Sequence, residues 1–389
     1  MYGGIAVDAL SIQVYAFVLP VLMALWGLSH AQGGMLATAV LVGSALGGWS
    51  AGYFADRFGR VRVMKLTVLW FAAASCLCGL ASNFEQLFAA RVLQGIGLGG
   101  ELAVCAVFLG EVASARSRGR LVGLAQSGWS LGWAIAAAAS SVMLSLLPHE
   151  QAWRLLFFVG LLPAAAIYLL RGRLVEPAMF RAPQTKLRWT AIFSGRNLAA
   201  TMKGTVLAIG VHGGYWGIAT WWPSVLLAER GLTLVGSLPY LAALIAGSFL
   251  GYVAGACLGD RAGRRITLGL FAFSGIVLVL VYAQLPLASM SFLLLSLPLG
   301  FVTTGMYGII GSTLAELFPT EARGAGHGFC YNCGRGLAGF SPAVIGWAAT
   351  TFGVTNAIAL FAVVAYGMVI AAALLLSETK GKDLRTLHP

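Results

Sequence analysis

Apolar residues run along this chain in blocks of about 20, each closed by a short cluster of charged, glycine or proline positions. A block of that length crosses a ~30 Å hydrocarbon core as one helix. The blocks predict helices at 4–28, 33–55, 62–82, 86–110, 120–147, 153–171, 203–227, 234–258, 265–284, 288–315, 323–350 and 355–377. The fold class is therefore an all-α membrane protein with twelve transmembrane helices. The first block, ending at Leu28, is too long for a signal-peptide core and has no basic residues ahead of it, so it is expected to be a membrane pass.

Composition agrees with the pattern. Of 389 residues, 59% are hydrophobic and only 10% charged, and the mean hydropathy is +0.85. Soluble domains carry roughly 25% charged residues, which excludes a soluble enzyme.

The net charge of +12 raises the question of nucleic acid, and the placement of the cations answers it. With both termini inside, 21 of the 25 Lys and Arg residues fall on cytoplasmic segments. Arg154 and Arg230 fall outside, and Arg91 and Arg335 within the membrane. This is the positive-inside bias of a multi-pass chain, with no nucleic-acid partner implied. The predicted location is the inner (cytoplasmic) membrane, with both termini cytoplasmic and the chain a monomer in the bilayer.

The chain repeats itself. "GYFADRFGRVR" from Gly52 matches "ACLGDRAGRRI" from Ala256, aligning Asp56, Arg57, Gly59 and Arg60 with Asp260, Arg261, Gly263 and Arg264 at an offset of 204. "EVASARSRG" from Glu111 matches "ELFPTEARG" from Glu316, aligning Arg118 with Arg323 at 205. Two matches at nearly one offset imply duplicated halves of six helices each, related by an axis along the membrane normal. The expected boundaries are 1–171, a cytoplasmic linker at 172–202, and 203–389 with a short tail.

The DRxGR loops, "RVLQGIGLGGE" from Arg91 and "SETKG" from Ser377 together resemble the major facilitator superfamily. Within it, "LVGLAQSGWSLGW" from Leu121 and "ELFPTEARGAGHGFCYNCGRGLAG" from Glu316 are most similar to the sialate and aromatic-acid proton symporter groups. The resemblance covers the whole chain. It implies two pseudo-symmetric bundles that alternate access. It also implies a cytoplasmic gate built from Gly52, Asp56, Arg57, Gly59, Arg60, Glu111, Arg118, Asp260, Arg261, Gly263, Arg264, Glu316 and Arg323. In those groups the first helix commonly carries two acids, whereas this chain has Asp8 and then Ser11.

Intramembrane charges are the sharper signal, since each costs at least ~2.5 to 3.5 kcal/mol at the bilayer centre unless paired or facing water. Arg335 lies twelve residues beyond Arg323, roughly 18 Å into the membrane at ~1.5 Å per residue. His327, Tyr331 and Arg335 recur every four residues and form one polar stripe, with Asn332 beside it. A guanidinium fork matches a carboxylate, so the stripe is a candidate receptor for an organic anion. The competing reading pairs Arg335 with Asp8 or Glu101 to hold the halves together.

Gln126, Trp129 and Trp133 on the fifth helix, and His212, Tyr215 and Trp216 on the seventh, are the expected aromatic lining. Trp221 and Trp222 are expected in the interfacial belt. Glu101 and Asp8 are candidate proton carriers, and Arg91, with a more structural part, completes the proton-coupling set. Cys330 and Cys333 form a lone CxxC, read as helix packing, and no P-loop, metal set or cofactor motif accompanies it.

The sequence thus predicts a proton-coupled symporter of a small organic acid: a monocarboxylate, an aromatic acid or a sugar acid. A neutral-sugar or polyol porter, an efflux carrier and a non-transporting sensor or truncated homologue share the same fold.

Overall fold

The computed structural model describes residues 2–112, 118–171, 192–286, 288–319 and 322–378. The helices are α1 (Tyr2–Trp26), α2 (His30–Phe58), α3 (Arg60–Leu80), α4 (Phe84–Val112), α5 (Arg118–Leu146), α6 (His149–Phe158) and α7 (Leu161–Arg171). The second half holds α8 (Gly195–Ser224), α9 (Leu234–Ala262), α10 (Arg264–Gln284), α11 (Ser289–Gly305), α12 (Tyr307–Glu316), α13 (Arg323–Ala338), α14 (Ser341–Phe352) and α15 (Val354–Leu375). Three pairs, α6–α7, α11–α12 and α13–α14, are single passes broken in the middle, which gives twelve passes.

Among the described residues, nine spans are long and apolar enough to cross a membrane. The other three passes carry buried polar side chains: α4 holds Arg91 and Glu101, α8 holds His212, and α13 holds Arg335.

The duplication is visible in the backbone. Gly59 links α2 to α3 at φ 100°, and Gly263 links α9 to α10 at φ 103°. Both are left-handed positions that an L side chain rarely adopts, so the glycine of each DRxGR loop is required by geometry. The core-facing glycines of α2 and α4 let those helices touch along their length, and α9 and α11 do the same in the second half.

The halves meet through α1 with α8, α2 with α13 and α14, and α5 with α9. At the end opposite the Gly59 and Gly263 loops, Gly34 abuts the carbonyl of Pro342 and Gly346 that of His30, while the His30 and Trp221 rings lie 5.8 Å apart. Nearer the middle, Ser130 and Ser248 share a 2.9 Å hydrogen bond, and Gly48 packs directly on the Asn332 amide.

Trp221 and Trp222 depart from the expected belt. They are 0% and 2% exposed: Trp221 donates to the Pro342 carbonyl at 3.0 Å, and Trp222 stacks on Phe292 at 5.5 Å. The end of α8 turns these rings toward the protein, where the indole N–H of Trp221 finds the Pro342 carbonyl in the first turn of α14.

Candidate functional site

The break after α13 comes one turn past Arg335, whose carbonyl accepts the Gly339 N–H at 2.8 Å. Within α13 the side chain leans back toward the helix start, as long helical side chains do. Its guanidinium donates to the Tyr331 hydroxyl at 3.1 Å and lies 4.9 Å from that ring's centre. Tyr331 in turn stacks on His327 at 6.0 Å, so the four-residue stripe is real. Arg335 is 5% exposed, and its Nε has no hydrogen-bond partner. Among the described residues it makes no ion pair. The pairing with Asp8 or Glu101 that would make it a structural strut is not formed.

Aromatic groups from four other helices close around this cation. The His212 ring lies 4.8 Å from Tyr331 and 5.1 Å from Tyr307, and its Nδ1 shares a 2.7 Å hydrogen bond with the Tyr307 hydroxyl. Tyr215 sits 5.3 Å from Tyr307, and its hydroxyl accepts from the Trp129 Nε1 at 2.6 Å, joining the two halves. Trp133 packs edge-on to Tyr215 at 6.1 Å and Trp129 to Trp216 at 5.7 Å. The Trp133 and Trp216 Nε1 and the His212 Nε2 are buried with no partner. The indole groups and the Arg335 Nε are donors, so the cluster has N–H capacity that only an acceptor can use.

The sequence therefore located Arg335, Tyr331, Trp129, Trp133, His212, Tyr215 and Trp216 in one cluster. Gln126 lies one turn before Trp129 and is half-buried. Asn332 turns away from the cluster: its amide donates to the Gly328 carbonyl at 3.0 Å and seats α2 against α13 through Gly48. Tyr307 and Tyr252, 6.2 Å apart, belong to the cluster and were not foreseen. The break at Met306 beside Gly305 and Gly308 was the available signal.

Asp8 and Glu101 line one small cavity inside the first half, with Gly4, Val7, Val68 and Phe71. Thr67 donates to Glu101 at 3.4 Å. Arg91 and Glu101 share α4 without pairing. Cys330 and Cys333 are free thiols, and Cys330 donates to the Thr201 carbonyl at 3.4 Å.

Of the expected gate, the second half is well defined. Arg264 bonds Asp260 at 2.6 Å and Glu316 at 3.3 Å, and Arg323 donates to the Ala315 carbonyl at 3.1 Å. Glu378, in the SETKG tail, caps α10 by accepting the Arg264 and Arg265 backbone N–H groups at 3.1 and 3.3 Å. In the first half Arg60 donates to the Ala55 carbonyl at 3.0 Å. Arg57 and Arg261 are exposed, Arg57 lying over Phe58 at 5.5 Å. The roles expected of Gly52, Asp56, Glu111 and Arg118 fall on side chains outside the described residues.

Twelve passes in duplicated halves around a central polar cluster define a membrane transporter, not an enzyme. The Major Facilitator Superfamily model matches residues 1–341, and the chain belongs to that family. It is 38% identical over 386 residues to a probable 4-methylmuconolactone transporter of Cupriavidus pinatubonensis, covering 98% of this chain and 90% of the relative. It is 30% identical over 355 residues to a cis,cis-muconate transport protein of Acinetobacter baylyi, covering 88% and 85%. In fold it is similar to the inward-open xylose transporter XylE of E. coli, with a TM-score of 0.77 at 18% identity, covering 99% of this chain and 97% of that one.

Proposed function

We propose that the chain carries a small organic acid across the inner membrane, coupled to protons. The observation that carries this reading is Arg335: a guanidinium buried near mid-membrane, without an ion pair among the described residues, amid indole and imidazole groups with spare hydrogen-bonding capacity. A carboxylate supplies the charge and the acceptors, and its apolar body suits the aromatic walls. The two curated relatives, whose names are those of transporters for a muconolactone and for muconate, support the same substrate class.

In this reading the units 1–171 and 203–389 rock about the cluster, joined by the linker 172–202, with the Gly59 and Gly263 loops and both termini on the cytoplasmic side. The protein acts as a monomer. Asp8 and Glu101 take up the proton in the cavity they share, and its neutralisation favours return of the loaded carrier.

A screen of uptake into proteoliposomes tests this, with acids and neutral sugars offered at acidic and neutral exterior pH. Organic acids should accumulate, faster when the exterior is acidic. Entry of neutral sugars with no entry of acids would give the site to a sugar porter.

A further inference from the structure

Arg91 is a second buried cation, 1% exposed, and every group it touches is neutral. Its guanidinium lies 4.3 Å from the centre of the Tyr15 ring and donates to the Gln94 side-chain carbonyl at 2.7 Å and the Leu36 carbonyl at 3.3 Å. Among the described residues no carboxylate pairs with it. Glu101, ten residues along the same helix, stands ~15 Å away by helical rise. A desolvated cation held only by neutral groups remains attractive to an anion.

Arg91 borders a small cavity between α1, α2, α4 and α8, with room for about one water-sized group. Gln13, Trp216 and Thr220 line it as well. Gln13 is 2% and Trp216 6% exposed, and the Gln13 Nε2 and Trp216 Nε1 are buried without a hydrogen-bond partner. Buried donors of this kind are costly to leave unmet. The cavity falls below the ~300 to 1,000 Å³ of pockets that enclose a whole small ligand. It admits one acceptor oxygen and not an entire molecule.

This cavity shares a wall with the Arg335 cluster. Trp216 lines it while its ring meets Tyr215 at 5.1 Å and Trp129 at 5.7 Å. Leu41, also lining it, packs against Gly339, one turn past Arg335.

We infer that the cavity receives the far end of a two-ended acid, with one carboxylate at Arg335 and a second oxygen acceptor at Arg91, Gln13 and Trp216. The acceptor is another carboxylate or a ring carbonyl. This rests on the acid reading above and narrows it: a plain monocarboxylate leaves one cation and two donors unmet, whereas a dianion answers both buried arginines.

The test titrates the purified full-length protein with trans,trans-muconate and with sorbate, which has a methyl group where muconate has its second carboxylate. The wild type should bind muconate at least tenfold more tightly. Arg91→Gln, and Gln13→Leu, which removes the amide N–H groups, should each bring muconate toward the sorbate affinity and change sorbate less than twofold. Equal binding of both acids by the wild type, or equal weakening of both by the variants, overturns the second contact and leaves the acid reading standing. If the wild type binds neither acid, or Arg335→Gln leaves both unaffected, the acid reading fails and this inference with it. Chloride that stabilises the wild type but not Arg91→Gln, without competing with muconate, would reassign the cavity to an inorganic ion and overturn the proposal.

Discussion

Arg335 and Tyr331, one turn apart on α13, are joined twice: the guanidinium donates to the tyrosine hydroxyl at 3.1 Å and lies 4.9 Å from the ring centre. The phenol holds the cation in place without neutralising it. A carboxylate partner would do the opposite, quenching the charge that the substrate is meant to find.

Tyr331→Phe keeps the ring and removes the acceptor. Hydrogen bonds to charged groups are worth ~1.5 to 3 kcal/mol, and each 1.4 kcal/mol is tenfold. Acid uptake by this variant should show a KM raised roughly tenfold with a near-normal maximal rate, read from dose dependence in proteoliposomes. An unchanged KM would mean that the hydroxyl does not position Arg335.

The Trp129 to Tyr215 hydrogen bond, 2.6 Å long and buried, crosses from one half to the other. Tyr215→Phe leaves the indole N–H without that acceptor and should destabilise the present arrangement of the halves by ~1 kcal/mol, about fivefold in population. Reaction of a Thr220→Cys variant with a membrane-impermeant maleimide, applied from outside, should accelerate by that factor when Tyr215→Phe is added.

Gly34 and Gly346 close the end of the molecule taken as outer, each against a backbone carbonyl of the other half, Pro342 and His30. An added methyl cannot be absorbed there, because backbone and not a flexible side-chain tip stands in the way. Gly34→Ala and Gly346→Ala should hold the outer end open and lower uptake severalfold. The Gly34 methyl meets only the other half, so Gly34→Ala should change thermal stability little, whereas the Gly346 methyl also meets the Trp221 ring of its own half. A large drop in melting temperature with normal transport would contradict this.

Glu101 faces the cavity it shares with Asp8, away from the Arg335 cluster. Glu101→Gln should abolish acid accumulation driven by an acidic exterior yet retain exchange of labelled for unlabelled acid at equal pH. Loss of both activities together would assign Glu101 to folding or to substrate binding.

Much of this was legible in the sequence, for identifiable reasons. The duplication showed at an offset of 204 because each DRxGR loop needs a glycine near φ +100°, and Gly59 and Gly263 supply it. The depth of Arg335 followed from helical rise, and the faces carrying Trp129, Trp133, His212 and Tyr215 from helical period. Periodicity reveals a face but not what the face meets. Trp221 and Trp222 were therefore assigned to the lipid interface, although α14 and Phe292 cover them. Tyr307 was missed because an uncharged tyrosine in an apolar run reads as core until His212 is seen to bond it. The cavity shared by Asp8 and Glu101 is a tertiary gap between α1, α3, α4 and α7 that no local pattern encodes.

The measurement that bears most directly on Arg335 as the carboxylate receptor is equilibrium binding of muconate to the wild type and to Arg335→Gln, alongside the dimethyl ester of muconate. Loss of two charged hydrogen bonds at ~1.5 kcal/mol each predicts an acid affinity lower by about 100-fold, with the preference for acid over ester reduced to what the second contact at Arg91 supplies. Equal acid affinity in the two proteins would contradict the central claim.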